Sequence, residues 1–407
     1  MLEAAVGTPE APALTLLAEN SAYTRAISVF PSLTPVCVSS IVTGVQPDVH
    51  HIPHLVWYSR EEQRLVEYGS SFKAIRRAGM GRSIVDAIFN LSGKHLAPGA
   101  LTLFEQLEDA GLVTAAVNIP CYRGRTRHRT KLPGVVRTVL GPRRFFFYSL
   151  FESDETGAPL AVRSRSGGTI DDYAAAVGRW LVTRDGFDFF LFYLSDYDYL
   201  SHAHGPDSPR EGIARVDRAL WALVEAAGGP DEFLERYAVL LCSDHGQTHV
   251  GQAARLQKRF RNVENVLVTA SNRAGMVYRL DGCKLEAPEL AARLDAEPAV
   301  DLVAYLDGDR VVVRKEGEDL PELNGEYPDA ARRLRAALRN PNAGDLLVSA
   351  APGYEFADLA GHSHAGGGSH GSLVAGDSEV PVLLAGIEGE PRSIADFAPL
   401  VRTHFGV

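Results

Sequence analysis

The sequence predicts an α/β fold in which a mostly parallel central sheet carries helices on both faces. Three nearly continuous apolar runs support this prediction, at Leu112–Val117, Phe187–Leu194 and Tyr237–Cys242. Such runs are typical of strands buried on both faces, and here they alternate with segments of helical periodicity. The 407 residues suffice for one large domain with insertions, or for two domains.

Composition excludes several classes of protein. The net charge of −10 argues against binding to a nucleic acid polymer, and no apolar run is long enough to span a bilayer. The four cysteines are scattered without paired spacing, which is typical of reduced thiols in the cytoplasm. Met1–Pro12 has neither the basic nor the apolar region of a signal peptide. We therefore expect a cytoplasmic protein without a membrane span.

The first chemical signal is a strand, turn and helix near the N-terminus. Ala26–Phe30 is a short β-favouring run, and Thr34 and Pro35 suit the N-cap and first position of a helix that ends at Gly44. A hydroxyl at a helix N-terminus faces free N–H groups and the positive end of the helix dipole. Thr34 is therefore either a nucleophile beside an anion site or simply a capping residue.

Three stretches rich in Asp and His come later, the first two directly at strand ends. They are Asp198-x-x-x-His202, the pair Asp244-His245, and a glycine-rich loop that ends near His370. Carboxyl ends of parallel strands line one edge of a sheet, so these side chains should meet there. Carboxylates and imidazoles bind divalent metals such as zinc. Together the stretches predict a metal site.

Two segments differ from this pattern. Cys121–Phe151 holds eight Arg and Lys residues, with no acidic residue between Asp109 and Glu152. In an acidic protein such a segment either draws anions or is a solvated basic loop. Arg123 and Arg125 are our candidates for binding an anionic substrate. Residues 261–340 carry short strands and two helices, which predicts a small α+β insertion.

With these motifs in view, the chain resembles the alkaline phosphatase superfamily, and within it the type I phosphodiesterase/nucleotide pyrophosphatase-like branch. The matching stretches are FPSLTPVCVSSIVTG (30–44), DYLSHAHGP (198–206), SDHGQT (243–248) and GSHGS (368–372). The resemblance implies an alkaline phosphatase-like core formed by 1–120, 171–260 and 341–407. Residues 121–170 would be a basic insertion or cap, and 261–340 the second insertion.

The resemblance also implies roles for individual residues. Thr34 would be the nucleophile that forms a phosphothreonine intermediate. One divalent metal, zinc or alternatively manganese, would be held by Asp198, His202 and His370. A second would be held by Asp244 and His245 together with the Thr34 hydroxyl. His362 and His364 compete with His370 for the last position, and the Ser-His-Gly context favours His370. His204 would lie on the substrate side, and Asp196 would be structural.

The chain departs from the family pattern in two places. The family begins with an apolar strand that ends in Asp-Gly, whose Asp binds the second metal, and no such run precedes residue 8. We expect either a chain that starts late or a metal-poor, inactive relative. The nucleotide-cleaving branch also tends to have a polar residue, often Asn, near the start of the nucleophile helix. Here Cys37 stands three residues after Thr34.

We therefore expect a two-metal hydrolase of small anionic phosphate esters, acting on diesters rather than monoesters. The enzymatic alternatives are a phosphomonoesterase, a phosphonate hydrolase or a phosphomutase-like relative. The non-enzymatic alternative is a binding protein on a degenerate or truncated phosphatase scaffold.

Overall fold

The computed structural model describes residues 2–131, 137–148, 150–153, 169–184, 186–207, 210–320, 323 and 325–407. Residues 132–136, 149 and 154–168 of the predicted basic insertion lie outside this description. The fold belongs to the α/β class, as predicted. The strands, in chain order, are β1 (Ala22–Ile27), β2 (Val56–Ser59), β3 (Arg64–Glu67), β4 (Thr114–Val117), β5 (Thr126–Arg129), β6 (Thr138–Gly141), β7 (Arg144–Phe147), β8 (Phe151–Ser153), β9 (Phe189–Phe192), β10 (Val239–Cys242), β11 (Thr248–Ala254), β12 (Val266–Ser271), β13 (Ala274–Arg279), β14 (Val300–Asp307), β15 (Arg310–Lys315), β16 (Glu318–Leu320), β17 (Leu346–Ala350), β18 (Gly353–Phe356), β19 (Gly368–Ser369) and β20 (Glu379–Ala385).

Helices connect most of these strands. The α-helices are α1 (Leu2–Ala5), α2 (Pro12–Glu19), α3 (Thr34–Thr43), α4 (Pro47–His50), α5 (Phe72–Ala78), α6 (Met80–Val85), α7 (Leu103–Asp109), α8 (Ile170–Val182), α9 (Asp196–His204), α10 (Arg210–Ala227), α11 (Pro230–Arg236), α12 (Ala287–Asp295), α13 (Ala330–Arg339), α14 (Ala375–Ser378) and α15 (Phe397–Phe405). A π-helical segment spans Asp86–His95, and 3₁₀ segments span Leu256–Phe260 and Ile394–Asp396.

The strands form several small sheets among the described residues, and the predicted mostly parallel central sheet is not present as one unit. Strands β7, β4 and β9 pair in parallel, with β8 antiparallel at the edge. Strands β1 and β10 instead flank β20, which runs antiparallel to both. The C-terminal strand β20 thus lies between β1 and β10 and pairs with both. The strands of 266–320 join β17 in a six-stranded antiparallel sheet.

The sheets that contain β9 and β10 are joined by side-chain packing. In the described part of the chain each of these strands pairs with a single neighbour, β4 for β9 and β20 for β10. Both strands are only half-buried although their side chains are apolar. Phe189 and Leu240 share one cluster, while Phe192 and Leu241 share another. The two strands therefore lie beside the same apolar clusters without a ladder of hydrogen bonds between them.

Helix α3 lies within the largest apolar cluster. Val36, Cys37 and Val42 are buried there. The helix ends as predicted before Gly44, whose φ of 72° is the left-handed conformation that glycine adopts without strain. The predicted N-cap was wrong by one residue: Leu33 is the cap, and Thr34 is the first helical residue. The Thr34 hydroxyl is therefore directed to a partner other than the start of its own helix.

Buried histidines give the fold a dependence on pH. Burial lowers the pKa of His50 to about 3 and that of His54 to about 4. An unfolded histidine has a pKa of about 6.5, so the unfolded chain binds more protons in the interval between these values. The part of the free energy of unfolding that depends on the neutral form of these histidines is fully present above pH 6.5 and is lost as the pH falls towards 4. We expect a loss of the order of 3 kcal/mol for each histidine.

Urea unfolding of the chain in the presence of a chelator, from pH 7.5 to pH 4, measures this loss. His54→Gln should destabilise the protein most at pH 7.5 and progressively less towards pH 4.5, because the variant has no imidazole to protonate. His404→Gln changes an exposed histidine in α15 and serves as the control. An identical pH dependence for His54→Gln and the parent chain would contradict the prediction.

Candidate active site

Thr34 and His245 are brought together by strands that run in the same direction. Since β1 and β10 are both antiparallel to β20, their carboxyl ends lie at the same edge of the sheet. Ser28, directly after β1, donates its hydroxyl to the carbonyl oxygen of Asp244 at 2.7 Å. Thr34 Oγ1 then lies 3.2 Å from His245 Nε2. The predicted nucleophile is thus adjacent to a predicted metal ligand.

Asp198 and His202 lie one helical turn apart on the same face of α9. His202 Nε2 is 3.5 Å from Asp198 Oδ2, and His202 Nδ1–H donates to the carbonyl of Gly368 at 2.8 Å. That bond leaves Nε2 as the free nitrogen. Burial lowers the pKa of His202, which keeps the ring neutral and able to bind a metal. The amide of Gln247 donates to Asp198 Oδ1.

His370 enters the site from the loop after β19. Its Nδ1–H donates to the carbonyl of Ser32 at 2.8 Å, so Nε2 carries the free lone pair. Nε2 lies 3.9 Å from Asp198 Oδ1, and the ring stacks on that of His245 with centroids 3.6 Å apart. Burial and the neighbouring histidines hold the pKa of His370 well below its usual value. Both features favour a neutral imidazole ligand.

The surroundings of Asp244 favour a bound cation. Its Oδ2 is buried and has no hydrogen-bond donor among the described residues. Burial raises the pKa of this carboxyl group. Burial alone would lower the pKa of His245, but Asp244 and Asp198 outweigh it and the pKa is raised. A buried carboxylate oxygen without a donor is costly, and a cation would remove that cost.

One group of side chains has the composition and spacing of a metal site. Ligand atoms of Asp198, His245 and His370 all lie within 4.8 Å of one another. Of the competing histidines, His362 is exposed, whereas His364 stacks on His202 with centroids 4.0 Å apart and is outside this group. An oxygen and two imidazole nitrogens suit zinc or another borderline divalent metal. The arrangement can therefore hold a metal beside Thr34.

The predicted substrate-binding arginines have partners within the protein. Arg123 is buried, and it donates to Glu105 at 3.0 Å and to three main-chain carbonyls. Arg125 donates to Glu105 and to Asp109. Substrate binding by these two residues stays a prediction. The structure gives them a role in joining the loop after β4 to helix α7.

The remaining predicted residues divide between surface and interior. His204 is exposed at the end of α9, and Asp196 is buried, where it accepts a hydrogen bond from the main chain of Asp171. Cys37 is fully buried with its sulfur 3.2 Å from the Ser28 hydroxyl.

Sequence reasoning missed three residues around His370. The carboxamide nitrogen of Asn272 lies 2.9 Å from His370 Nε2. Arg273 forms a buried ion pair with Asp377 at 2.9 Å, and the Asp377 carboxylate also accepts from the main chain and hydroxyl of Ser372. The available local signal was the Asn-Arg turn between two predicted strands. Nothing in that turn indicates a contact with a loop nearly 100 residues away.

Comparison with known proteins decides the family. A sequence profile described as type I phosphodiesterase / nucleotide pyrophosphatase matches residues 2–373. The chain belongs to this family. It is accordingly a phosphoric ester hydrolase by family, within the alkaline phosphatase superfamily, as the motifs predicted. A search of curated protein sequences gives no match.

Two solved structures share the fold of this phosphodiesterase family member. Phosphonoacetate hydrolase from Sinorhizobium meliloti 1021, in complex with phosphonoacetate, aligns with a TM-score of 0.65 at 20% identity, covering 98% of this chain and 91% of that one. An inactive variant of murine ectonucleotide pyrophosphatase / phosphodiesterase 5, in complex with AMP, gives 0.66 at 15% identity, covering 100% and 91%. In the described part of this chain no helix has the length and apolar character to cross a membrane.

Proposed function

We propose that this chain is a two-metal hydrolase that cleaves phosphate diesters in preference to monoesters. The observation that carries the proposal is the meeting of Thr34 with the Asp198, His245 and His370 group at the carboxyl ends of β1 and β10. Membership of the phosphodiesterase family supports the reaction class. The inactive murine relative carries a threonine-to-alanine change, which supports a threonine nucleophile here.

We assign the predicted metal ligands to two positions. Asp198, His202 and His370 would hold one divalent ion, zinc or manganese, and Asp244 and His245 would hold the second with the Thr34 hydroxyl. Asp244 Oδ2 has no hydrogen-bond donor among the described residues and lies 3.5 Å from His245 Nε2, which fits this assignment. When bound, such ions neutralise charge that develops on phosphoryl oxygens and lower the pKa of an attacking hydroxyl.

The protein's own groups account for the remaining steps. Thr34 Oγ1 loses its proton to water and attacks phosphorus, the bond from phosphorus to the leaving alkoxide breaks, and that alkoxide takes up a proton from water. The resulting phosphothreonine is hydrolysed by water, which releases a phosphate monoester and restores Thr34. The positive end of the α3 dipole favours the anionic phosphoryl group throughout.

Substrate preference and metal content test the proposal together. After purification with zinc or manganese, elemental analysis should find two equivalents of metal. The kcat/KM for a bis-aryl phosphate should exceed that for a mono-aryl phosphate by about tenfold or more. A tenfold ratio corresponds to about 1.4 kcal/mol, which the loss of a single discriminating polar contact can supply. Preference for the monoester would favour the phosphomonoesterase alternative.

A matched pair of variants links metal to activity. Asp198→Asn should lower both metal content and turnover. Asp207→Asn removes the exposed Asp207–His249 pair, outside the site, and should change neither. A metal-loaded chain that hydrolyses neither ester would support the binding-protein alternative.

A further inference from the structure

Asn272 occupies a position that is both strained and buried. It forms, with Arg273, the two-residue turn between β12 and β13, where its φ is 56°. It is 6% exposed. Left-handed backbone is unfavourable for residues other than glycine, although Asn tolerates it better than most. Glycine would therefore suit this turn at least as well, so the turn alone does not account for a buried carboxamide.

The carboxamide is directed at a predicted metal ligand. Asn272 Nδ2 lies 2.9 Å from His370 Nε2, and the Ser271 hydroxyl donates to Asn272 Oδ1 at 3.2 Å. His370 Nδ1–H is already bonded to Ser32, so Nε2 has one lone pair to offer. A metal and the Asn272 amide compete for that lone pair. If His370 were to bind a metal through Nε2, the Asn272 amide would lose this acceptor and its N–H would become available beside His370.

The turn that presents this amide is fixed on several sides. Arg273 N–H donates to the carbonyl of His370 at 2.8 Å. Phe356 N–H donates to the carbonyl of Asn272 at 2.6 Å. Ala350 N–H donates to the carbonyl of Arg273 at 3.0 Å. A donor held in place before the reaction stabilises developing negative charge without reorganisation. The surroundings of Asn272 therefore suit an amide that binds an anionic oxygen.

We propose that the Asn272 carboxamide donates a hydrogen bond to a phosphoryl oxygen of the substrate. This inference rests on the proposed function, because it needs a phosphoryl group at the metal site. It assigns a substrate-binding role to the six-stranded sheet, which would supply one wall of the site. Asn272 would act on the bound phosphoryl group, while the metal is held by the other residues.

Asn272→Gly tests the proposal, because glycine keeps the left-handed turn and removes only the side chain. We expect thermal unfolding and metal content to match those of the parent chain. The metal-loaded variant should bind inorganic phosphate about tenfold more weakly, and kcat/KM for the bis-aryl phosphate should fall by about 10²-fold, as for loss of one preorganised donor. Asn272→Asp should weaken phosphate binding at least as much, because a carboxylate repels it.

Asn265→Gly is the matched control, since Asn265 is an exposed left-handed residue at the opposite end of β12. It should leave phosphate binding and turnover unchanged. If Asn272→Gly lost metal instead, the side chain would be a metal ligand and the proposal would be overturned. Unchanged phosphate binding and turnover in Asn272→Gly would overturn this inference and leave the proposed function standing. A parent chain without phosphate binding or turnover would overturn the proposed function and this inference with it.

Discussion

Replacing Thr34 by alanine is expected to reduce turnover of a phosphate diester by about 10³-fold or more, because the attacking oxygen is lost. The helix should persist, since Thr34 Oγ1 faces His245 rather than capping α3. The metal-loaded variant should therefore still bind inorganic phosphate. Thr34→Ser keeps a hydroxyl and should restore a substantial part of the activity.

The control for this experiment lies in the same helix. Thr43→Ala removes a buried hydroxyl that donates to the carbonyl of Ser39, so it perturbs α3 away from the site. It should lower stability and leave kcat near that of the parent chain.

Mass spectrometry of the parent chain quenched during turnover should find a phosphate adduct on the peptide that contains Thr34. Undiminished turnover in Thr34→Ala would exclude this residue as the nucleophile.

The largest expected effect on stability comes from Asp377. Its carboxylate is completely buried and pairs with Arg273, which is 1% exposed. It also accepts hydrogen bonds from Thr248 and Ser372. Asp377→Ala leaves the Arg273 charge buried without compensation, which we expect to lower the free energy of unfolding by about 3–5 kcal/mol. Urea unfolding of the metal-free chain measures this change.

Two further variants separate the buried charge from general damage. Asp307→Ala breaks an exposed pair with Arg310 and should have no measurable effect. Replacing both Arg273 and Asp377 by apolar residues should destabilise the chain less than Asp377→Ala alone, because no charge is left unpaired. A loss below about 1 kcal/mol for Asp377→Ala would contradict this account. Asp377→Ala should also lower metal affinity, because Asp377 binds Ser372, which lies two residues after the predicted metal ligand His370.

Local patterns in the sequence predicted the individual elements better than their assembly. Continuous apolar character identified β4, which is buried, and also β9 and β10, which are only half-buried. The position of β20 was missed. Whether a strand enters a sheet parallel or antiparallel depends on partners hundreds of residues away, and β20 bridges β1 and β10 across that distance.

The residues of the candidate site likewise differ in how far local sequence signals predicted them. Helical spacing alone places Asp198 and His202 on one face, and a strand end places Asp244 beside them. The Ser-His-Gly context singled out His370, which the structure puts with Asp198 and His245. Asn272 was not predicted, because an Asn in a two-residue turn is ordinary and only the folded chain directs it at His370.

The absence of hydrogen bonding between β9 and β10 bears on the tolerance of the site. Asp198 follows β9 and Asp244 follows β10, so no backbone ladder between these strands fixes the distance between the two carboxylates. Apolar packing is non-directional and fixes the relative position of two strands less strictly than a ladder of backbone hydrogen bonds does. The two sides of the candidate active site are thus compliant with respect to each other. This compliance would let the separation of the carboxylates adjust to the ions and esters that are bound.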